Sequence, residues 1–252
     1  MSTKRQLVIL MYHGTPDQKP ASSYSIQSRL FKQHIRHLKQ NGWHSACIRD
    51  LATPDLLQPK TIMITFDDGY LDNFENAYLP LMEHNMRATW FITTNVIGSH
   101  AHWMGEFDEM RMLTEEHLAE MTSNGMEIGS HTCSHPDLTS LAYTEQLKEL
   151  QRSREQLEDI VDQPVTSLAY PFGRYNTDSL QAAEKSGYTF ACSTRSGHQA
   201  HSESMLQLRR VTIFDGDSVS TLARKLVFAD NDVSWKKMAR YYTSRLASKL
   251  TG

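Results

Sequence analysis

Short apolar runs alternate with amphipathic segments of helical period along most of this chain. That alternation is typical of repeated β-α units around a parallel sheet. Eight such runs suit a closed barrel better than an open sheet, so the expected fold is α/β and barrel-like. The candidate strands are residues 7–12, 44–48, 61–66, 88–92, 126–130, 165–170, 189–193 and 208–214.

Three predicted helices separate these strands. The first covers 29–40, with apolar residues at helical spacing, and Asn41-Gly42 follows as a stop signal. A second begins near Thr114, and a third spans 143–160. Repeats and low-complexity linkers are lacking, and 252 residues is a length that one α/β barrel fills, so we predict one domain over 1–252.

The composition limits which class of partner the protein binds and which cellular compartment it occupies. A net charge of −3 provides no field that attracts nucleic acid, so a small or neutral ligand is expected. Three scattered cysteines suggest neither a disulfide framework nor a structural zinc knuckle, which fits a reducing compartment. Lys4-Arg5 before an apolar run imitates a signal peptide, but the run is too short. We therefore expect a cytoplasmic protein without a transmembrane segment; the sequence does not indicate its oligomeric state.

The C-terminal segment from about residue 231 predicts an amphipathic helix. Trp235, Met238 and Tyr242 recur at helical spacing opposite Lys236 and Arg240. A stripe of this kind usually packs on the core, and we favour a helix packed on the barrel. Peripheral contact with an anionic membrane is the alternative.

The first group of chemically useful residues follows the third predicted strand. The apolar run there stops at Asp67-Asp68-Gly69, at the strand end where β/α barrels place their catalytic residues. Adjacent side chains at a strand end diverge, so one carboxylate can hold a metal while its neighbour points at an attacking water. A solvated turn is the other interpretation of this tripeptide alone.

The second group follows the fifth predicted strand. His131 and His135 are four positions apart and can face one cation if the chain turns helically after the strand. With Asp68 they form a set of two histidines and one carboxylate, which leaves an open position for water, as in catalytic zinc sites. Zinc is the first choice for one divalent ion, and nickel, cobalt or iron would accept the same donors. Unrelated surface histidines are the alternative.

These two segments resemble the motifs of the polysaccharide deacetylases, carbohydrate esterase family 4, also called the NodB homology domain. Residues 65–69 match the TFDDG motif in full, and residues 130–135 match SHTxxH. The resemblance implies a deformed (β/α)7-type barrel, an N-acetylated sugar as substrate and hydrolysis of its amide bond. It further implies Asp67 as general base and Asp68, His131 and His135 as metal ligands.

A third motif of the family is matched in part by residues 169–173. The proline and glycine are kept, but the arginine that orients the catalytic aspartate in the family is missing. Arg174 and Arg210 are the candidates to replace it, and we favour Arg210 at the start of the last strand. The backbone N–H of Phe172 is the expected oxyanion donor.

The family's C-terminal Leu-x-x-His motif, which supplies the general acid, is also missing, and no histidine follows His201. Residues 11–14 instead resemble the permuted poly-N-acetylglucosamine deacetylases, in which the first strand supplies this histidine. His13 is therefore the expected general acid. The alternatives are His198, His201, or a His13 that only caps the strand.

Aromatic side chains are the remaining candidates for sugar contact. Trp103 lies in the irregular segment 98–111 and Tyr170 lies in the third motif, so either ring could stack on a sugar. Trp90, within an apolar run, is expected in the core.

Together with these residues, the resemblance implies metal-dependent hydrolysis of an N-acetyl group from an N-acetylated amino sugar or polysaccharide, with release of acetate. Deformylation or O-acetyl ester cleavage at the same site is the enzymatic alternative. A catalytically silent carbohydrate-binding protein is a third, and the presence of Asp67 argues against it because binding requires no base.

Overall fold

The computed structural model describes residues 6–20, 22–101, 103, 110–199 and 204–234, together with 236 and 239. Eight strands form one sheet, and all of their ladders are parallel. The strands are β1 (Gln6–Tyr12), β2 (His44–Ala46), β3 (Lys60–Phe66), β4 (Thr89–Ile92), β5 (Glu127–Ser130), β6 (Ser167–Ala169), β7 (Phe190–Cys192) and β8 (Val211–Thr212).

In the described part of the chain, five α-helices lie in the connections between these strands and a sixth follows β8. They are α1 (Ser28–Gln40), α2 (Leu79–Glu83), α3 (Glu115–Ser123), α4 (Tyr143–Val161), α5 (Thr177–Lys185) and α6 (Val219–Phe228). On α1, Phe31, Ile35 and Leu38 form the buried stripe, and Gly42 ends the segment in the left-handed conformation that favours glycine.

The sheet curls into a deformed barrel with the order β7-β6-β5-β4-β3-β1-β8. Strands β2 and β4 pair with the same edge of β3. Strand β2 pairs with the first half of β3, and β4 pairs with its last two residues. A single parallel bridge from Cys192 to Leu208 brings the segment before β8 to the free edge of β7. The predicted deformed (β/α) barrel is therefore confirmed, although the eighth predicted strand is reduced to Val211–Thr212.

The side chains of each strand alternate between two apolar layers. In β1 and β3, Val8, Leu10, Ile62 and Ile64 pack outward against the helices. The odd-numbered Ile9 and Met63 point into the barrel, where they meet residues such as Phe91, Ala169 and Cys192. Because strand side chains have a period of two, this alternation also decides which residues just beyond each strand face the barrel mouth.

Some expectations lie outside what the structure describes. The predicted C-terminal helix falls almost wholly outside the described residues, and the single-domain assignment stays a prediction. Among the described residues, no helix combines the length and apolar character needed to cross a bilayer. The cytoplasmic location and the peripheral membrane contact also stay predictions.

Candidate active site

Three polar side chains continue the inward-facing positions of their strands. Asp67 follows β3 two residues after the inward Thr65, and its N–H donates to the Tyr12 carbonyl at 3.0 Å. His131 follows β5, and His13 follows β1 by one residue. Since the carboxyl ends of parallel strands meet at one edge, the alternation brings these three residues to the mouth of the barrel.

Asp68, His131 and His135 form a compact, buried donor group. One carboxylate oxygen of Asp68 lies 3.4 Å from Nε2 of each histidine, and the three donor atoms lie within 4.8 Å of one another. Nδ1 of His131 lies 2.7 Å from the carbonyl of Ala169, which assigns the ring proton to Nδ1 and leaves the Nε2 lone pair facing the group. Two imidazole nitrogens and a carboxylate fit a catalytic divalent ion.

The loop that carries the histidines is not the helical turn that the sequence suggested. Thr132 and His135 both have positive φ, and the Thr132 hydroxyl accepts the His135 N–H at 3.0 Å. The carboxylate of Glu149 on α4 accepts the N–H groups of Cys133 and Ser134 at 2.9 Å each. The anchoring role of Glu149 had no sequence signal, since it lies in an ordinary amphipathic helix. Cys133 is not a member of the donor group.

Asp67 forms a buried bidentate ion pair with Arg210. The two guanidinium nitrogens donate to the two carboxylate oxygens at 2.6 and 2.7 Å, and Arg210 is 0% exposed. Arg210 also donates to the Ser193 carbonyl at 3.0 Å. Arg174 instead pairs with Asp137 at the surface. The arginine that contacts Asp67 is therefore Arg210, as favoured from the sequence, and it lies just before β8.

The charges of this cluster shift its pKa values in opposite directions. Burial raises the pKa of Asp67, but the charges of Arg210 and His131 outweigh it and hold this pKa below its usual range. Burial likewise opposes ionisation of Asp68, but the nearby histidines, with His131 first among them, together outweigh burial and lower the pKa. Burial lowers the pKa of His131, but Asp68 and Asp67 raise it overall. Burial and the His131 charge lower the pKa of His135 to about 4. Both aspartates are therefore anionic near neutral pH.

Two aromatic rings flank His135. Trp103 stacks on the imidazole with centroids 4.7 Å apart, and Phe172 meets it edge-on at 4.7 Å. Phe172 is 55% exposed and has a positive φ, a strained conformation for a residue with a side chain. Tyr170, by contrast, is completely buried and its hydroxyl donates to the Leu206 carbonyl. The expectation that Tyr170 stacks on a sugar is therefore wrong, because its ring offers no accessible face.

His13 lies at the same edge of the barrel, one residue beyond the end of β1. The His13 ring packs against the Tyr24 ring, with the ring centroids 5.4 Å apart. The His13 carbonyl accepts a hydrogen bond from Asn73 at 2.9 Å. Sequence reasoning missed both neighbours. Of the two alternatives, His198 is exposed, and His201 lies outside the described residues.

A curled parallel barrel with a donor group of two histidines and a carboxylate beside an arginine-paired aspartate has the architecture of a barrel hydrolase. Residues 56–191 match the family model for polysaccharide deacetylase. A Bacillus subtilis protein named as a polysaccharide deacetylase, YxkH, is 34% identical over 219 residues, covering 85% of this chain and 74% of YxkH. The chain belongs to the polysaccharide deacetylase family, and the resemblance found in its motifs is confirmed.

Two further relatives are informative. The poly-β-1,6-N-acetyl-D-glucosamine N-deacetylase of Staphylococcus epidermidis is 26% identical over 187 residues, which cover 68% of this chain and 62% of that protein. The solved structure of the Streptococcus pyogenes deacetylase PplD in complex with acetate superposes with a TM-score of 0.77 at 28% identity, covering 88% of this chain and 98% of PplD. Membership of this family supports a hydrolase that acts on the amide bond of N-acetylated sugars.

Proposed function

We propose that this protein is a metal-dependent deacetylase that removes the N-acetyl group from an amino sugar or its polymer and releases acetate. One observation carries the proposal: the buried donor group of Asp68, His131 and His135 lies beside an anionic Asp67 that Arg210 holds in place. A binding protein would require neither the buried ion pair nor the base.

The donor group would hold one divalent ion, and zinc is the metal we propose. Nickel, cobalt or iron would accept the same nitrogen and oxygen donors. When bound, the ion would polarise the acetyl carbonyl and lower the pKa of an attacking water towards about 7. The hydrogen bond between His131 and the Ala169 carbonyl orients the imidazole for this purpose.

Asp67 would act as the general base. Its carboxylate is charged near neutral pH because Arg210 and His131 lower its pKa. It would accept a proton from the water as the water oxygen attacks the acetyl carbon. Arg210 would fix the direction of the carboxylate, since both guanidinium nitrogens are engaged with it. The N–H of Phe172 would donate to the oxyanion, a contact worth about 3 kcal/mol in other hydrolases.

His13 would complete the reaction as the general acid. The carbon–nitrogen bond breaks, the acetyl carbon leaves as acetate, and the sugar nitrogen takes a proton from the His13 imidazole and departs as a free amine. Amines are poor leaving groups without this proton. The position of His13 at the barrel edge that also carries Asp67 and His131 supports the role.

The substrate class is proposed from the relatives. The staphylococcal proteins are named for poly-β-1,6-N-acetylglucosamine, and the PplD structure is described with acetate, so an N-acetyl group is favoured over a formyl group. The half-exposed Phe172 and the Trp103 ring beside His135 would contact the sugar. The alternative function is hydrolysis of O-acetyl esters of a related sugar.

Release of free amine from N-acetylated sugars tests the function. The purified protein, incubated with a β-1,6-linked N-acetylglucosamine oligomer, should release acetate and amine in equal amounts. Treatment with a chelator should abolish this release, and added zinc should restore it, because the polarising charge is supplied by the metal. Turnover that persists in a protein shown to be metal-free would contradict metal dependence. Activity confined to O-acetylated sugars would assign an esterase.

The role of His13 predicts a difference between substrates. The His13→Ala variant should lose about 100-fold or more in turnover on the N-acetyl oligomer, the usual scale of general acid catalysis. On 4-nitrophenyl acetate, whose leaving group requires no proton, the loss should stay below about 10-fold. Metal content should be unchanged. Equal losses on both substrates, or a larger loss on the oligomer in His198→Ala, would remove His13 from this role.

A further inference from the structure

We propose that Asn73 is the positioning residue of His13: together with Asp72, it fixes the backbone that carries the imidazole at the barrel mouth. The inference rests on the proposed role of His13 as proton donor. It adds a residue that is not part of the donor group.

The carboxamide of Asn73 is committed to the segment that begins at His13. Asn73 is 0% exposed, and the two hydrogens of its Nδ2 are shared among three acceptors: the His13 carbonyl at 2.9 Å, a carboxylate oxygen of Asp72 at 2.9 Å and the Thr15 hydroxyl at 3.2 Å. A carbonyl and a carboxylate can only accept, so chemistry assigns the nitrogen to this side. Although Asn73 precedes the helical turn Phe74–Tyr78, its side chain does not cap that turn.

Asp72 holds the other end of the same segment. Its second carboxylate oxygen accepts the Thr15 N–H at 3.0 Å, and the Thr15 hydroxyl lies 3.3 Å from the Asp72 carbonyl. Between the two anchored residues, a Cβ added to Gly14 would lie 2.8 Å from the Ser25 hydroxyl and 3.3 Å from the Asp72 carboxylate. The segment is therefore closely enclosed and has little room to shift.

This anchoring is needed because the strand ladder ends just before His13. The last pair between β1 and β3 joins Tyr12 to Phe66, so His13 itself has no partner in that ladder. Nδ1 of His13 is buried and lacks a hydrogen-bond partner within the described part of the chain. Among the aromatic contacts of the described residues, the His13 ring packs only against the half-exposed ring of Tyr24. The imidazole position thus follows from where the backbone is held. A displacement of about 1 Å in a catalytic group can cost about 100-fold in rate.

The Asn73→Ala variant tests this positioning role. We expect turnover on the β-1,6-linked N-acetylglucosamine oligomer to fall by about 10- to 100-fold, with KM changed by less than about 2-fold. Hydrolysis of 4-nitrophenyl acetate should fall by less than about 3-fold, since it requires no proton from His13. In a His13→Ala background, Asn73→Ala should cause no further loss on the oligomer, because both substitutions remove one function.

Two further variants separate positioning from folding. Gln146→Ala removes another fully buried carboxamide, one that donates to the Leu141 carbonyl at 3.0 Å, and should lower stability without separating the two substrates. Thr15→Val removes one acceptor of Asn73 while keeping the side-chain shape, and should give the same selective loss, smaller in size. If Asn73→Ala does not fold, the Thr15→Val variant tests the positioning role in its place.

The outcomes distinguish the inference from the function beneath it. Equal losses on the two substrates in Asn73→Ala and Thr15→Val, with a selective loss in His13→Ala, would overturn the positioning role alone. A further loss on the oligomer when Asn73→Ala is added to His13→Ala would also overturn it. An unselective His13→Ala variant would overturn the proton-donor role and the inference with it.

Discussion

Replacing Asp67 by asparagine is expected to lower turnover on N-acetylated sugars at least about 100-fold while leaving the metal content unchanged. Asparagine keeps the shape of the side chain but cannot accept a proton from the attacking water. The donor group of Asp68, His131 and His135 stays intact in this variant. Metal analysis and single-substrate kinetics on the same preparation would check both statements. Loss of the metal in Asp67→Asn would show that the two aspartates have been assigned the wrong way round.

The same substitution should also reduce stability, because Arg210 is then buried without its counter-charge. Breaking a buried ion pair costs about 3–5 kcal/mol, and the remaining amide oxygen should keep the loss near the lower end. Asp217→Asn is the matched control, since Asp217 is buried and paired with the buried Lys225 outside the donor group. It should lose comparable stability and keep turnover. A comparable loss of turnover in Asp217→Asn would mean that instability explains the Asp67 result.

The pH dependence of that stability has a defined sign. The pKa of Asp67 is lower in the folded protein than the usual value of about 3.9 for the unfolded chain. Its ionised form therefore stabilises the fold at every pH above about 4, and the contribution is lost as pH falls through the folded pKa. In metal-free proteins, the stability difference between wild type and Asp67→Asn should shrink on acidification below about pH 4, as measured by urea unfolding.

Replacing His131 by alanine is expected to remove the metal and, with it, nearly all activity. Three protein donors leave an open position for the reaction, so the loss of one leaves only two ligands. His34→Ala is the matched control: His34 is also a fully buried histidine, held by Tyr12 and the Asp217 carbonyl. It should lose stability and keep its metal. Full metal content and full activity in His131→Ala would refute the proposed site.

Metal retention should weaken on acidification. The pKa of His131 in the metal-free protein is raised because Asp68 and Asp67 outweigh the effect of burial, whereas His135 titrates at about 4. A proton on His131 must leave before the metal binds. As the pH is lowered, metal affinity should therefore begin to fall already at or above about pH 6.5, the usual pKa of histidine. Titration with zinc and a competing chelator at several pH values would measure it. An affinity independent of pH between about 5 and 8 would contradict the proposed ligand.

The strand residues at the site were predictable because a strand has a fixed period. Asp67 and His131 continue the inward positions of β3 and β5, so apolar runs that stop at polar residues are enough to place them at one edge. Asp68 and His135 follow a different rule. Both have positive φ, and these backbone turns direct their side chains to the donor group. The sequence indicated their chemistry through two motifs, but it suggested the wrong backbone, a helical turn, for the histidine loop.

The sequence by itself determined the alternation of strands and helices, the barrel class, and the chemical identity of the proposed donors and base, because each depends on local order along the chain. The tertiary structure decided which distant groups complete the site. Arg210 contacts Asp67, 143 positions away in the sequence, and Asn73 contacts the His13 carbonyl, 60 positions away. The ring of Tyr170 is fully buried and cannot contact a sugar. Such contacts depend on sheet order and on the path of loops, and neither leaves a periodic signal in the sequence.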